Sequence, residues 1–267
     1  MNTLSVAGDL APLVLEQRKG SVAHLTLNRP AQYNALSEEM LAALEGALNA
    51  LSTDASVRVV VLGGAGKAFC AGHDLKQMKT HPDLEYCRRL FGDCSRLMMR
   101  IQSLPQPVIA RVHGIATAAG CQLVAMCDLA VAANDARFAV SGINVGLFCA
   151  TPSVALSRNV GRKAAFEMLV TGEFIDAPTA QQRGLINRCV PPERLDQEIG
   201  RLAELIAAKP RSVMAAGKAL FYRQLQGDIG TAYQLAGEAM ACNMIDEIAQ
   251  EGVAAFIEKR SPNWGAG

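Results

Sequence analysis

The fold is decided by two stretches, Lys67-Ala-Phe-Cys-Ala-Gly-His-Asp-Leu-Lys76 and His113-Gly-Ile-Ala-Thr-Ala-Ala-Gly-Cys-Gln-Leu-Val-Ala-Met-Cys-Asp128. Each stretch places small residues where an apolar strand is predicted to turn into a helix. Glycine and alanine let a ligand approach the backbone closely, and the first N–H groups of a helix have no partner within the helix. Each turn can therefore hold an oxygen that carries negative charge, and the pair predicts one oxyanion hole with two backbone donors.

The pattern around these turns predicts an α/β fold with a mostly parallel sheet. Apolar runs rich in β-branched residues predict strands over residues 22–27, 57–62, 108–112 and 129–133. Between the first two strands, Ser37 supplies a hydroxyl cap and two glutamates follow it, which favours the start of a helix. A further helix is predicted between the last two strands, over residues 116–126. Alternating strands and helices are typical of a parallel sheet with helices packed outside it.

The second part of the chain has a helical pattern. From about residue 151, helices are predicted over residues 162–170, 192–209, 210–225, 230–246 and 249–259. No low-complexity linker and no sharp shift in composition separates two independent domains. We therefore expect an α/β core over residues 1–200, followed by a helical region over residues 201–267.

Composition excludes several classes of protein. The 267 residues are half apolar and carry a net charge of +1, so the chain can build a large core and has no charge bias toward nucleic acid. The sequence contains no basic block and no zinc-finger pattern, so we expect no nucleic-acid partner and no metal. The eight cysteines are scattered among mostly apolar neighbours, which predicts reduced core thiols rather than disulfides.

The sequence also bears on the compartment. The first dozen residues lack the basic start and apolar run of a signal peptide and the arginines of a transit peptide. No apolar run reaches the length of about twenty residues that a membrane-spanning helix needs. We therefore expect a cytoplasmic protein that does not contact a membrane.

A set of motifs spread along the chain indicates a family. The motifs are Leu25-Thr-Leu-Asn-Arg-Pro30 with Asn34-Ala-Leu36, Val57-Arg-Val-Val-Val-Leu62, Ala68-Phe-Cys-Ala-Gly72 with Asp74-Leu75, Pro107-Val-Ile-Ala110 with His113-Gly114, Gly120-Cys121 with Cys127-Asp128, and Phe256-Ile-Glu-Lys-Arg-Ser-Pro-Asn-Trp264. In this order they resemble the crotonase (enoyl-CoA hydratase/isomerase) superfamily over roughly residues 12 to 264. The resemblance implies a crotonase-like spiral of ββα units, C-terminal helices that make trimer contacts, and assembly as a homotrimer or hexamer.

The resemblance also implies a ligand and its main contacts. In the family, two backbone N–H groups hold the thioester oxygen of an acyl-CoA, and the matching positions here are His73 and Ala119. Coenzyme A enters as part of this substrate or ligand, so no separate cofactor is expected. One such donor typically contributes about a hundred- to a thousandfold in rate.

Other positions are implied to contact the coenzyme and the acyl chain. Ala71 and Lys76 lie at the first turn, and the C-terminal helix adds a cation, either Lys259 or Arg260. The expected contacts of the acyl chain are Met78, Phe91, Leu147 and Phe148.

At two positions where a hydratase of this family carries a glutamate, this chain has another residue. The first is Gln122 and the second is Gly142. An amide can hydrogen-bond a water but cannot take its proton, and glycine offers no side chain. Because a positioned acid or base contributes roughly a hundred- to ten-thousandfold, the chain is a divergent member in which we expect hydration to be inefficient.

The acid that some family isomerases and dehalogenases add further along falls near Ala150. Polar side chains that could replace the missing acids in this region are Ser141, Asn144, Cys149 and Thr151. Cys149 is predicted to be an inert core thiol, Thr151 to cap a helix, and the His73 side chain to lie at the rim of the coenzyme site.

Three functions remain open at this point. The first is an acyl-CoA enzyme of the hydratase/isomerase class that works weakly or through replacement groups such as Gln122 with an ordered water. The second is a non-catalytic acyl-CoA-binding protein, which the loss of both acids favours. The third is a thioester hydrolase or lyase that uses the same oxyanion hole with a different nucleophile or water. Peptidase chemistry is not expected, because the sequence has no Gly-x-Ser-x-Gly motif.

Overall fold

A computed structural model describes residues 11–264 of the chain. Residues 1–10, on which most of the leader prediction rests, lie outside the described residues. The strands are β1 (Val14–Lys19), β2 (Val22–Leu27), β3 (Val59–Gly64), β4 (Ala68–Cys70), β5 (Val108–Val112), β6 (Ile115–Thr117), β7 (Leu129–Ala133), β8 (Arg137–Ala139), β9 (Ile175–Asp176) and β10 (Arg188–Val190). The helices are α1 (Glu38–Thr53), α2 (Leu75–Thr80), α3 (Leu84–Ser103), α4 (Ala119–Met126), α5 (Ala150–Asn159), α6 (Arg162–Thr171), α7 (Ala177–Gln182), α8 (Leu195–Ala207), α9 (Arg211–Gln224), α10 (Ile229–Met244) and α11 (Glu247–Ile257).

Two sheets form the centre of the fold. The larger has the strand order β1-β2-β3-β5-β7-β10 and is parallel except for the β1–β2 pair. The smaller has the order β4-β6-β8-β9 and is parallel except for the β8–β9 pair. Strands β3, β5 and β7 of the larger sheet are each followed by a strand of the smaller sheet and then by helix, which makes a repeat of ββα units. The expected crotonase-like spiral is confirmed, and helices follow it at the C-terminal end.

The inner strands β3, β5 and β7 of the larger sheet are buried on both faces. Val60 and Leu62 face the main core, in which helices α1, α3 and α4 also take part, whereas Val59 and Val61 face the opposite side and pack with Ile199 of α8. A parallel sheet covered on both faces requires continuous apolar runs rather than alternation. This explains the run of valines in β3.

The sequence patterns located the larger sheet better than the smaller one. Strands β2, β5 and β7 have the predicted bounds, but β3 begins at Val59 rather than at residue 57, and residues 116–117 belong to β6 rather than to a helix. Strands β4, β6 and β8 are three residues long, which is too short to show a period. Strands β9 and β10 interrupt the region that was predicted to be helical. The division at residue 200 falls inside α8 and stays a prediction.

A buried polar network around Asp128 joins the C-terminal helices to the larger sheet. Lys218 of α9 donates to Asp128 Oδ2 at 2.6 Å and to two backbone carbonyls, and the Tyr222 hydroxyl donates to Asp128 Oδ1 at 2.7 Å. The Val108 N–H at the start of β5 also donates to Asp128 Oδ2, at 2.7 Å. The Lys218 and Asp128 side chains are only 6% and 13% exposed. One carboxylate therefore links helix α9, strand β5 and the end of α4.

The cysteines are mostly core residues. All eight lie within residues 11–264 and none is bonded to another. The prediction of core thiols is right for most of them and wrong for Cys242, which is exposed. Within the same range, no helix is long and apolar enough to cross a membrane, and no three metal-binding side chains come together.

Candidate active site

A cavity of about 260 Å³ opens beside the two turns quoted at the outset. Ala71 and His73 line it from the first turn, and Ala118 and Ala119 from the second. The four residues predicted to contact an acyl chain all lie in its wall: Met78, Phe91, Leu147 and Phe148. No residue of this wall is an aspartate, glutamate, lysine or arginine. The cavity therefore suits an uncharged, largely apolar group.

Two backbone N–H groups at this cavity have no acceptor within the described part of the chain. The Gly72 carbonyl accepts from the Leu36 N–H at 2.8 Å, and the Asp74 N–H donates to the Leu36 carbonyl at 3.2 Å, which leaves the His73 N–H between them unused. Ala119 is the first residue of α4, so its N–H has no acceptor within the helix. The turns touch at Gly72, where an added Cβ would lie 3.1 Å from the Ala119 nitrogen. The structure thus brings the two predicted donors together.

The second turn holds a strained residue immediately before its donor. Ala118 has φ 50° and ψ −121°, a conformation that residues with a Cβ rarely adopt. Gly120, two residues on, has no room for a side chain, because an added Cβ would lie 2.1 Å from the Cys70 carbonyl oxygen. Backbone strain of this kind is typical of binding and catalytic turns.

Replacement of Ala118 by glycine is expected to stabilise the protein by about 1 kcal/mol, because relief of the strained φ outweighs the added freedom of the unfolded chain. Urea-induced unfolding measures this change. The matched control is Ala42→Gly in the exposed middle of α1, which is expected to destabilise by about 1 kcal/mol. Equal destabilisation by both substitutions would contradict the strain at Ala118.

Buried polar side chains hold the first turn in place. Asn34 is fully buried, and its Nδ2 donates to the carbonyls of Ala65 and Ala68 at 2.8 Å each, on either side of the bend into β4. Arg29 lies 3.1 Å from Asp74, whose carboxylate also caps the start of α2. The backbone around the His73 N–H is therefore fixed by contacts from distant parts of the chain.

At the second of the two altered acid positions, Gly142, the structure leaves no room for a side chain. An added Cβ on Gly142 would lie 2.6 Å from the Leu147 carbonyl oxygen and 2.7 Å from Cys149 Sγ. The Gly142 N–H donates to the same sulfur at 3.3 Å. Burial raises the pKa of the Cys149 thiol, and this hydrogen bond offsets part of the rise. The thiol occupies the space in which a side chain at residue 142 would begin.

The other altered position, Gln122, is a buried amide on α4. Its side chain is not part of the cavity wall, and its Oε1 has no hydrogen-bond partner among residues 11–264. A neutral amide neither releases nor takes a proton at neutral pH. Neither position can therefore supply acid or base chemistry.

The His73 side chain is half-buried in the cavity wall, and its place at the rim of a coenzyme site stays a prediction. Both ring nitrogens are buried and make no hydrogen bond of good geometry with any described residue. The ring packs edge-on against Phe91 of α3, with the ring centroids 5.4 Å apart. Burial lowers the pKa of His73, and the Leu36 backbone offsets only part of this. The imidazole is neutral at pH 7, with one donor and one acceptor that make no hydrogen bond of good geometry.

The remaining polar candidates are placed as follows. Ser141 lies in the cavity wall and shares a hydrogen bond of 2.8 Å with Thr117. Thr151 also lines the cavity but does not cap α5, because the cap position is Cys149 and Thr151 lies within the helix. Asn144 lies outside the cavity wall and donates to a backbone carbonyl at the end of α6. Ala150, the further acid position, lines the cavity without a polar group.

The cations expected at the coenzyme lie outside the cavity wall. Lys76 is exposed on α2, and Lys259 is exposed just beyond α11. Arg260 is paired with Glu251 and Glu258, both at 2.6 Å, which favours Lys259 of the two C-terminal candidates. Contacts of Lys76 and Lys259 with a coenzyme stay predictions.

Comparison with known proteins agrees with this geometry. The sequence matches the family described as Enoyl-CoA hydratase/isomerase over residues 17–267. It is 46% identical over 252 residues to the mitochondrial enoyl-CoA hydratase domain-containing protein 3 of Rattus norvegicus, covering 94% of this chain and 84% of the relative. A crystal structure of enoyl-CoA hydratase from Mycobacterium smegmatis is 65% identical, with a TM-score of 0.93 and 95% and 99% of the two chains covered. The structure of human enoyl-CoA hydratase domain-containing protein 3 is 44% identical, with a TM-score of 0.92 and 94% and 100% covered.

The spiral of ββα units and the two turns at its cavity define a protein of the crotonase fold. The chain belongs to the enoyl-CoA hydratase/isomerase family, and the membership predicted from its motifs is confirmed.

The expectation of a cytoplasmic protein is wrong. Five vertebrate relatives that are 42% to 46% identical to this chain are all named as mitochondrial proteins. The expectation rested on the absence of leader-like features in the first dozen residues, and such an absence does not determine a compartment.

Proposed function

We propose that this protein binds acyl-CoA thioesters, holds the thioester oxygen between the backbone N–H groups of His73 and Ala119, and hydrates enoyl-CoA inefficiently. The observation that carries the proposal is the pair of donors without an acceptor in the wall of an apolar cavity. A carbonyl oxygen satisfies both donors, and the acyl chain then lies among Met78, Phe91 and Phe148. Donors fixed in advance by the fold stabilise developing charge without reorganisation.

The proposed inefficiency in hydration follows from the chemistry of the wall. Addition of water to a double bond needs a group that takes a proton from the water and a group that delivers one to carbon. Gln122 and Gly142 can do neither. Cys149 lies where an acid side chain would begin, and its pKa is raised by burial.

Restoring the acids is expected to fail because the space for the second one is filled. Gly142→Glu forces the Leu147 carbonyl and the Cys149 thiol to move, so the expected cost is about 1–3 kcal/mol of stability, as for other overpacked sites. The double variant Gln122→Glu with Gly142→Glu is expected to hydrate but-2-enoyl-CoA no faster than the natural protein, as followed by loss of enoyl absorbance. Gln122→Glu alone is the matched control, since it keeps the shape of the side chain. A large gain in hydration by the double variant would show an intact hydratase scaffold and contradict this account.

The proposed function is tested by mass spectrometry after incubation with a mixed pool of saturated and unsaturated acyl-CoA thioesters. Ligand that stays with the protein through rapid gel filtration is recovered, and its molecular mass is measured. Unchanged thioester that co-elutes with the protein supports the proposal. Rapid formation of a species heavier by one water would contradict inefficient hydration, free CoA above the control would instead identify a thioester hydrolase, and failure to retain any thioester would contradict acyl-CoA binding.

The assembly that we propose is a homotrimer or hexamer formed through the C-terminal helices. Large apolar side chains on these helices are exposed in the single chain: Phe221, Ile229, Ile245, Phe256 and Ile257. Packing between subunits would cover these side chains and remove apolar surface from water.

A further inference from the structure

One titratable side chain in the cavity wall has no role in the binding proposed above. The His73 imidazole has two buried nitrogens without a hydrogen-bond partner in the described chain, in a wall that is otherwise mostly apolar. A buried polar group without a partner is unfavourable, and such groups in folded proteins call for a functional explanation. Because His73 lies in the cavity wall, a ligand in the cavity can supply a partner for the ring once the side chain turns toward it.

His73 is also the best proton acceptor that the wall offers. Of the residues that line the cavity, only His73 and Cys149 can exchange a proton near neutral pH. Burial raises the pKa of Cys149 and so keeps its proton on sulfur. Burial lowers the pKa of His73 and so leaves its ring neutral, with a free lone pair. No charged side chain contributes to that shift, and the neighbouring Asp74 carboxylate is paired with Arg29.

The His73 ring belongs to the same residue as one donor of the oxyanion hole, which favours its contact with a bound thioester. The backbone N–H of His73 is one of the two proposed donors. The His73 side chain therefore branches from the chain beside the place where the thioester carbonyl and its adjacent Cα would lie. The ring is positioned by packing against Phe91 and not by hydrogen bonds. Rotation of the side chain toward a ligand therefore gives up only this packing and the contact with the Leu36 backbone, which is not a hydrogen bond of good geometry.

We propose that the His73 imidazole removes a proton from Cα of a bound acyl-CoA thioester, so that this site catalyses enolisation. This inference rests on the proposed acyl-CoA binding. In the step, the Cα–H bond breaks and its electron pair forms a double bond between Cα and the carbonyl carbon. The carbonyl oxygen gains the negative charge and is held by the His73 and Ala119 N–H groups, while the proton passes to the ring nitrogen. The imidazolium then exchanges its N–H proton with solvent and returns a proton to Cα, which regenerates the thioester. The net reaction is exchange of the α-proton with solvent.

The test is deuterium incorporation into hexanoyl-CoA in D₂O, measured by mass spectrometry and located by NMR. The natural protein is expected to exchange the α-protons at least about a hundredfold faster than buffer, the low end of a general-base contribution. The rate is expected to rise with pH as His73 loses its proton and to level off above a midpoint that lies below the ordinary histidine value of 6.5. His73→Phe keeps the backbone N–H and the packing on Phe91 but has no lone pair, so exchange is expected to fall by at least about a hundredfold.

Calorimetric titration with hexanoyl-CoA separates this inference from the proposed function. His73→Phe keeps both backbone donors, so its affinity for hexanoyl-CoA is expected to fall much less than its exchange rate, and Cys149→Ala is expected to exchange α-protons faster than His73→Phe. Binding without exchange in the natural protein would overturn enolisation and leave acyl-CoA binding intact. Unchanged exchange in His73→Phe would show that His73 is not the base, and loss of exchange in Cys149→Ala would assign the step to the thiol. Absence of binding would overturn the proposed function itself.

Discussion

Replacement of Lys218 by methionine is expected to lower the free energy of unfolding by about 3–5 kcal/mol, because it leaves the carboxylate of Asp128 buried without its cation. The Lys218 side chain is 6% exposed, and its ammonium donates to Asp128 and to two backbone carbonyls. Burial lowers the pKa of Lys218, and the charge of Asp128 offsets part of this, so the pair is held as an ion pair by mutual contact. Chemical denaturation followed by circular dichroism measures the loss.

Two further variants show whether the uncompensated charge of Asp128 causes the loss of stability in Lys218→Met. Tyr222→Phe removes one hydrogen bond to Asp128 and leaves the ion pair, so it is expected to cost about 1.5–3 kcal/mol. Combining Lys218→Met with Asp128→Asn removes the buried charge as well, so the double variant is expected to be more stable than Lys218→Met alone. A loss below about 1 kcal/mol in Lys218→Met would mean that Asp128 is solvated by other means and does not anchor α9.

Replacement of Ala119 by proline is expected to slow the α-proton exchange of hexanoyl-CoA by about a hundred- to a thousandfold, because it deletes one oxyanion donor. Proline suits the first residue of a helix, where its missing N–H has no helical partner and its fixed φ matches the helix. Affinity for the thioester is expected to fall much less, by about tenfold at most, because a hydrogen bond to a neutral carbonyl contributes only about 0.5–1.5 kcal/mol. The exchange rate and the dissociation constant are measured on the same preparation.

The matched control for this substitution is Ala119→Gly, which keeps the N–H. It is expected to retain most of the exchange rate, and thermal unfolding of both variants shows whether the helix start has survived. A folded Ala119→Pro variant with an unchanged exchange rate would contradict the role of the Ala119 N–H.

The sequence predicts four of the six strands of the larger sheet and the positions of the two small-residue turns, because their signals are local. Strands β2, β5 and β7 are mostly apolar runs, and the turns are marked by small residues within a few positions of each predicted donor. The smaller sheet was missed because its strands are only two or three residues long and depend on pairing with distant segments.

The state of individual side chains at the site depends on contacts between distant parts of the chain, which the sequence does not reveal. The packing of Phe91 from α3 against the His73 ring is one such contact. Gly142 was identified as a lost acid, but the filling of its space by Cys149 appears only when the loop has closed. The strain at Ala118 had one signal, a pair of alanines before Gly120 at a turn that calls for glycine.

The central claim is that two backbone N–H groups polarise a thioester carbonyl, and infrared spectroscopy of a bound thioester tests it most directly. Hexanoyl-CoA labelled with carbon-13 at the carbonyl gives one band that can be separated from those of the protein. We expect this band to shift to lower frequency on binding, and to return part of the way toward its position in water in Ala119→Pro. A bound thioester whose carbonyl band stays where it is in water, and does not respond to Ala119→Pro, would contradict the oxyanion hole.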